Sequence, residues 1–222
     1  MKLTKNDTLL FIGDSITDCG RQFPVGEGGF NQLGYGYVAQ VDALLNAVYP
    51  ELMIRTLNTG IGGDTVRHLK TRWQSDVLDL KPDWLSIMIG TNDVWRQFDQ
   101  ALNPKEHVYL DEYENSLREL VRDTLPLVKG LVLMSPYYLE PNLNDPMRAT
   151  MDVYGGIVKK IAEEFDVMFV NTQQAFDEIS EHVYLSSLST SWDRVHPGQR
   201  GHMTLTHEFL NAIGFSWNRD NN

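Results

Sequence analysis

The stretch "TLLFIGDSITD", residues 8–18, decides the fold. Four consecutive apolar residues, Leu9 to Ile12, end at Gly13, and a polar turn containing Asp14 and Ser15 follows. Such a run is typical of a parallel strand covered by helices, since neither face of that strand meets water. The stretch therefore predicts a buried parallel strand that presents Ser15 just beyond its carboxyl end.

Similar apolar runs recur along the chain, and amphipathic segments separate them. They predict further strands at residues 52–57, 84–89, 131–134 and 167–170. Strands that alternate with helices favour an α/β fold, here a three-layer α/β/α sandwich around a five-stranded parallel sheet. Because the sequence has no internal repeat and no linker-like segment, we predict a single domain over residues 1–222.

Three helix starts are predicted from local signals. Asp111 and Glu114 form the pattern of a capping box. Asp145 followed by Pro146 is typical of an N-cap and the first helical residue. The last helix is expected to begin near Pro197.

Composition excludes several classes of protein. The 222 residues include 30 Asp and Glu against 19 Lys and Arg, a net charge of −11, which disfavours nucleic acid as a partner. No apolar run approaches the ~20 residues of a membrane span, and the N-terminal residues do not resemble a signal peptide. Cys19 is the sole cysteine, so no disulfide can form within the chain. We expect a cytoplasmic protein without membrane or nucleic-acid partners.

Polar turn segments follow four of the predicted strands, at residues 13–15, 58–64, 90–93 and 135–136. Ligands of open parallel sheets bind at the carboxyl ends of the strands, so these segments are expected to meet at one edge. Taken alone, each segment is equally typical of an ordinary solvated turn.

Together with a segment near the C-terminus, they contain every group that serine-based acyl transfer needs. Ser15 provides a hydroxyl, and Asp193 lies three residues before His196, a spacing that lets a carboxylate orient an imidazole base. The oxyanion requires hydrogen-bond donors, for which the N–H groups of Ser15 and Gly63 and the side chain of Asn92 are candidates.

The motifs "FIGDSITD", "NTGIGGDT", "IGTNDVW" and "DRVHPGQRGH" resemble the four conserved blocks of the SGNH hydrolases, also called GDSL esterases. The resemblance spans almost the whole chain and departs from the nominal motif in having Ile16 after the serine. It implies the flavodoxin-like SGNH fold, with Ser15, Asp193 and His196 as catalytic residues. It also implies that Ser15, Gly63 and Asn92 form the oxyanion hole, Gly63 being chosen over Gly62 for its place before Asp64.

Longer matches, "GDSITDCGR", "IMIGTNDVWRQ", "HVYLDEY" and "WDRVHP", are similar to the bacterial acetylxylan esterases, and "NTGIGGDT" is also similar to relatives of platelet-activating-factor acetylhydrolase. The resemblance implies a serine esterase that removes acetyl groups from sugar hydroxyls, with a small-molecule or oligosaccharide ester as substrate and no cofactor or metal. Trp192, Trp95 and Arg96 are the candidate substrate-binding residues. Aromatic residues in the loops could also form a contact between subunits, so a homo-oligomer stays open.

Several alternatives remain beside this interpretation. A lipid or thioester hydrolase of the same superfamily would prefer longer acyl chains, and a carbohydrate-binding module would bind sugars without catalysis. Asp14 and Asp18 could suggest an aspartyl phosphatase, although Ile16 stands where those enzymes need a second acid. His202 and His207 are five residues apart, which is unsuited to a shared metal on one helix face.

Overall fold

The computed structural model describes residues 1–191 and 193–218. Within that part the sheet has six strands: β1 (Thr8–Gly13), β2 (Gly26–Glu27), β3 (Arg55–Asn58), β4 (Trp84–Met88), β5 (Gly130–Met134) and β6 (Met168–Val170). Their spatial order is β2-β3-β1-β4-β5-β6. All neighbouring pairs are parallel except β2 and β3.

The predicted count of five strands was wrong by one edge strand. Gly26 and Glu27 pair antiparallel with Asn58 and Leu57, and Glu27 forms an ion pair with Arg55 at 2.5 Å. Two residues are too few to give a periodic pattern, so only tertiary pairing reveals this strand.

The five parallel strands have the flavodoxin-like order, in which the chain starts at β1, moves to β3 on one side and then crosses to β4 on the other. Ligands of such sheets bind where the direction changes. Ser15 follows β1 and Asn92 follows β4, so both stand at this position.

Eight α-helices accompany the strands in the described residues: α1 (Ser15–Asp18), α2 (Tyr37–Val48), α3 (Val66–Trp73), α4 (Thr91–Asp99), α5 (Leu110–Thr124), α6 (Pro146–Phe165), α7 (Thr172–Ser180) and α8 (Gln199–Ala212). They cover the sheet in two groups, with α2, α7 and α8 packed together and α3, α5 and α6 packed together. None of the helices in residues 1–191 and 193–218 has both the length and the apolar character to cross a membrane.

The predicted helix starts have mixed outcomes. Asp145 is confirmed as the N-cap of α6, where its carboxylate accepts hydrogen bonds from two backbone N–H groups. The capping box at Asp111 was wrong, because α5 begins at Leu110 and Asp111 lies in its first turn. The last helix begins two residues after Pro197.

Strand β1 forms the centre of the core, since Leu9 to Ile12 are fully buried on both faces of the sheet. On one face the Phe11 ring packs against Tyr37 of α2 and Phe209 of α8, with ring centroids 5.6 and 4.8 Å away. This packing fixes the strand end that carries Ser15.

Candidate active site

Ser15 is the first residue of α1, directly beyond β1. Asp14 caps this helix, its carboxylate accepting a hydrogen bond from the Ile16 N–H at 2.9 Å. Gly13 allows the tight approach, because a Cβ there would lie 2.3 Å from the Met88 carbonyl oxygen and 2.4 Å from Thr17 Oγ1. The turn therefore presents the half-buried Ser15 side chain at the carboxyl edge of the sheet.

Ser15, His196 and Asp193 form one hydrogen-bonded line. Ser15 Oγ lies 2.9 Å from His196 Nε2, and His196 Nδ1 lies 2.8 Å from Asp193 Oδ2. The other carboxylate oxygen, Asp193 Oδ1, accepts from the backbone N–H groups of Val195 at 2.8 Å and His196 at 3.0 Å. Residues 181 positions apart in sequence thus meet with the geometry that acyl transfer requires.

The ionisation of Asp193 fixes the proton positions along this line. Burial raises the pKa of Asp193, but hydrogen bonds from Ser191, the His196 ring and two backbone N–H groups outweigh it and hold the pKa at about 2. Because a carboxylate only accepts, Nδ1 of His196 carries the ring proton. Nε2 then has a free lone pair, and the Ser15 hydroxyl donates to it.

Backbone contacts hold the loop that carries Asp193 and His196. The Leu139 N–H donates to the Arg194 carbonyl at 2.9 Å, and the buried Tyr137 hydroxyl donates to the Val195 carbonyl at 3.0 Å. Arg194 itself has a left-handed backbone with φ of 61°. The segment after β5 therefore holds the loop that carries His196 and Asp193 in place.

Asn92 lies buried in the first turn of α4, and both ends of its side-chain amide have defined partners. Nδ2 donates to the Asp64 carbonyl at 3.0 Å, and Oδ1 accepts from Arg96 Nη2 at 3.1 Å. One amide hydrogen is used in this way, and no other partner of Nδ2 is found among the described residues. That second hydrogen is available to an oxyanion.

Gly63 occupies a tight turn next to Ser15. The Asp64 N–H donates to the Ile61 carbonyl at 3.2 Å, and Gly63 has φ of +85°, as the third residue of a type II turn requires. The Gly62 N–H is held by Asp18 Oδ2 at 3.1 Å. No acceptor for the Gly63 N–H exists in the part of the chain that the structure describes, which favours Gly63 over Gly62 as an oxyanion donor.

A cavity of about 350 Å³ adjoins the Ser15 hydroxyl. Inside it, His202 Nδ1 accepts from the Tyr37 N–H at 3.2 Å, so Nε2 carries the proton and donates to Cys19 Sγ at 3.4 Å. The cavity is lined by Ser15, Ile16, Cys19, Tyr35, Thr190, His196, Pro197, Gln199 and His202.

Cys19 and His202 are not among the site residues predicted from the sequence, yet both line this cavity. Burial lowers the pKa of His202 to about 4 and raises the pKa of the Cys19 thiol. His202 is thus a neutral hydrogen-bond donor and not a base toward Cys19. The spacing of Ser15 and Cys19, four residues apart across one turn of helix, is the sequence signal that places Cys19 in the cavity.

Two buried carboxyl groups lie behind the site. Burial raises the pKa of Asp14 to about 7 and that of Asp93 to about 8. Each accepts a hydrogen bond from a backbone N–H, Asp14 from Ile16 and Asp93 from Val66 at 3.0 Å. Asp14 therefore shapes the turn and, unlike Asp193, makes no hydrogen bond to His196.

Two of the three candidate substrate-binding residues, Trp95 and Arg96, lie in the part of the chain that the structure describes. The Trp95 ring packs against the His196 ring, with ring centroids 6.0 Å apart. Arg96 lies 5.1 Å from the Trp95 ring and binds both Asn92 and Asp99. Trp192 lies outside the described residues.

The residues weighed for other chemistries have separate partners. Asp18 binds backbone N–H groups, including that of Gly62, while His207 is exposed and pairs with Glu208 at 2.8 Å. Within residues 1–191 and 193–218, no group of three or more His, Cys, Asp or Glu side chains could hold a metal ion.

Comparisons with known proteins show which proteins this chain is similar to. The model of the GDSL-like Lipase/Acylhydrolase family matches residues 11–203. An acetylxylan esterase from Geobacillus stearothermophilus is 60% identical over 219 residues, which cover 99% of each chain.

Solved structures of similar proteins have the same fold. The crystal structure of Axe2, an acetylxylan esterase from Geobacillus stearothermophilus, superposes with a TM-score of 0.97 at 59% identity over 100% of both chains. Catalytic mutants of Axe2 with a serine, a histidine or an aspartate replaced by alanine are equally similar. LAE5, an alpha/beta hydrolase enzyme from the metagenome of Lake Arreo, Spain, has a TM-score of 0.93 at 48% identity, covering 96% of this chain and 98% of its own.

Proposed function

The chain belongs to the GDSL-like lipase/acylhydrolase family, and we propose that it removes acetyl groups from the sugar hydroxyls of acetylated xylo-oligosaccharides. The observation that carries the proposal is the continuous line from Ser15 Oγ through His196 to Asp193, at 2.9 and 2.8 Å, in a chain with a full-length acetylxylan esterase relative. Family membership makes the chain an ester hydrolase, so a carbohydrate-binding module without catalysis no longer applies.

In the proposed mechanism Ser15 Oγ attacks the acetyl carbonyl carbon while its proton passes to His196 Nε2. Asp193 keeps the ring in the required tautomer and stabilises the imidazolium. The tetrahedral oxyanion accepts hydrogen bonds from the Ser15 N–H, the Gly63 N–H and Asn92 Nδ2. Collapse breaks the ester C–O bond, the sugar oxygen takes the proton from His196, and an acetyl-serine remains.

Water completes the cycle by the same groups. It gives a proton to His196 Nε2 and attacks the acetyl carbon, and acetate leaves when the Ser15 oxygen recovers the proton. Every bond change is a proton transfer or an acyl transfer, so the residues of this chain suffice for the reaction.

The cavity beside Ser15 supports a short acyl group. Its wall combines imidazole, thiol, phenol, hydroxyl and amide groups with the apolar side chains of Ile16 and Pro197, and we propose that its volume of about 350 Å³ accommodates an acetyl group. The Trp95 ring beside His196 offers an apolar face for a sugar, and we propose it as a substrate contact together with Trp192.

A series of 4-nitrophenyl esters from acetate to decanoate, with acetate release from acetylated xylo-oligosaccharides measured alongside, tests the substrate class. We expect the highest kcat/KM for acetate, a steady fall with chain length, and release of acetate from the oligosaccharides. A preference for decanoate, with no acetate release, would instead identify the lipid or thioester hydrolase of the same superfamily.

We further propose a single catalytic domain and a cytoplasmic location, where Cys19 would stay reduced and imported oligosaccharides would be the substrates. Assembly into a homo-oligomer is also proposed, because Phe30 and Tyr184 in the surface loops are 100% and 89% exposed. Light scattering of the purified protein tests the assembly, and fractionation of cells tests the location.

A further inference from the structure

The amide of Asn92 can serve the oxyanion in only one of its two orientations. Its Oδ1 and Nδ2 ends have nearly the same shape, so a rotation of 180° exchanges donor and acceptor with little steric change. With the ends exchanged, an oxygen would face the developing negative charge and raise the barrier. Some contact must therefore fix the amide before the substrate binds.

Two contacts identify the ends of this amide. The Asp64 carbonyl can only accept, so the group 3.0 Å from it is Nδ2, and the Arg96 guanidinium can only donate, so the group 3.1 Å from Nη2 is Oδ1. The two assignments agree. In the exchanged orientation both contacts would become repulsive at once.

Arg96 can reach the Asn92 amide because residues four positions apart on a helix lie on the same face. Asn92, Arg96 and Asp99 are spaced four and three residues apart on α4, so they form a row on one helix face. Asp99 binds Nη1 of Arg96, while Nη2 reaches back to Asn92. The row runs from a partly exposed carboxylate through the guanidinium to the buried amide.

We infer that Arg96 is a positioning residue, which holds and polarises the Asn92 amide so that Nδ2 donates to the oxyanion. The hydrogen bond from Arg96 carries a full positive charge, so it is stronger than the neutral bond to the Asp64 carbonyl. It draws electron density from Oδ1 and makes the Nδ2 hydrogens better donors. This role replaces the substrate contact that the sequence suggested for Arg96, and it rests on the proposed function of Asn92.

Because Arg96 acts through Asn92, replacing Arg96 should lower kcat by less than complete loss of the Asn92 donor does. Complete loss of one oxyanion donor costs about 10²–10³ in kcat. Since the Asp64 contact remains in an Arg96→Met variant, we expect a smaller loss, about 10- to 50-fold in kcat, with KM unchanged within about twofold.

A double-mutant cycle on 4-nitrophenyl acetate, with Arg96→Met, Asn92→Ala and the combined variant, tests the inference. Once Asn92 is gone, Arg96 has no amide to hold, so Arg96→Met should change kcat by less than about twofold in the Asn92→Ala background. Equal losses in both backgrounds, or a rise in KM at constant kcat, would overturn the inference and restore a direct substrate contact.

Asp99→Asn provides a second variant that touches neither Asn92 nor the cavity, in case Arg96→Met does not fold. It should lower kcat less than Arg96→Met does, and this loss too should vanish in the Asn92→Ala background. If Asn92→Ala alone keeps the wild-type kcat, the oxyanion role of Asn92 is wrong and the inference falls with it. In that case ester hydrolysis by Ser15 still stands, so the two failures are distinguishable.

Discussion

Replacing Asp193 by Asn changes one atom and reverses the proton arrangement of the site. Asp193 Oδ1 accepts from the backbone N–H groups of Val195 and His196 at 2.8 and 3.0 Å. In Asp193→Asn the side-chain oxygen must keep this position, because an NH₂ group cannot accept from two N–H donors. The amide nitrogen is thereby placed 2.8 Å from His196 Nδ1, where the carboxylate oxygen stands in the wild type.

The size of the expected loss in kcat follows from the change of tautomer in the His196 ring. An NH₂ group donates, so Nδ1 must become the acceptor and the ring proton moves to Nε2. A protonated Nε2 cannot take the proton of Ser15, and the imidazolium that forms during attack also loses its counter-charge. We expect kcat to fall by about 10⁴, which corresponds to about 5 kcal/mol of transition-state stabilisation.

The assay is hydrolysis of 4-nitrophenyl acetate at neutral pH, with the thermal midpoint measured alongside. Asp14→Asn is the matched control, since it makes the same chemical change one residue from Ser15 and keeps an oxygen for the Ile16 N–H. We expect the control to retain kcat within about tenfold. An Asp193→Asn variant that is as active as this control would refute the assigned tautomer.

Two further predictions concern stability. Gly13→Ala should destabilise the fold by about 3 kcal/mol or more in urea unfolding, because its Cβ would lie 2.3 and 2.4 Å from Met88 O and Thr17 Oγ1; an unchanged midpoint would contradict the packing described. Burial raises the pKa of Asp93 to about 8, so the Asp93 carboxyl binds its proton more tightly in the folded state than in the unfolded state. The free energy of unfolding should therefore fall as the pH rises from about 4 to about 8. Asp93→Asn retains an acceptor for the Val66 N–H and should make that curve flatter; equal pH dependence in both proteins would rule out the buried carboxyl as its source.

The α/β architecture and the meeting of Ser15 and Asn92 at one edge of the sheet could be predicted from the sequence because a buried parallel strand has a distinctive pattern. Leu9 to Ile12 are apolar without alternation because β1 is buried on both faces. Parallel strands then bring the residues that follow them to one edge of the sheet, so the sequence alone predicts that Ser15 and Asn92 lie near one another.

The parts that failed depend on contacts between distant residues or on ambiguous local signals. Strand β2 exists through pairing with β3 and has no pattern of its own. At α5, Glu114 matched a capping box, but it pairs with Arg118 at 2.6 Å instead. The spacing of Asn92 and Arg96, by contrast, predicts a shared helix face, and the structure places the two side chains in contact.

The central claim is that Ser15 is the nucleophile, and labelling with diethyl 4-nitrophenyl phosphate followed by peptide mass spectrometry tests it most directly. An activated serine attacks this reagent and retains its phosphoryl group, so hydrolysis of acetate esters should stop as labelling proceeds. The account predicts a single phosphorylated residue, Ser15, and no labelling of Ser15→Ala. A phosphoryl group at another residue, or equal labelling of Ser15→Ala, would contradict it.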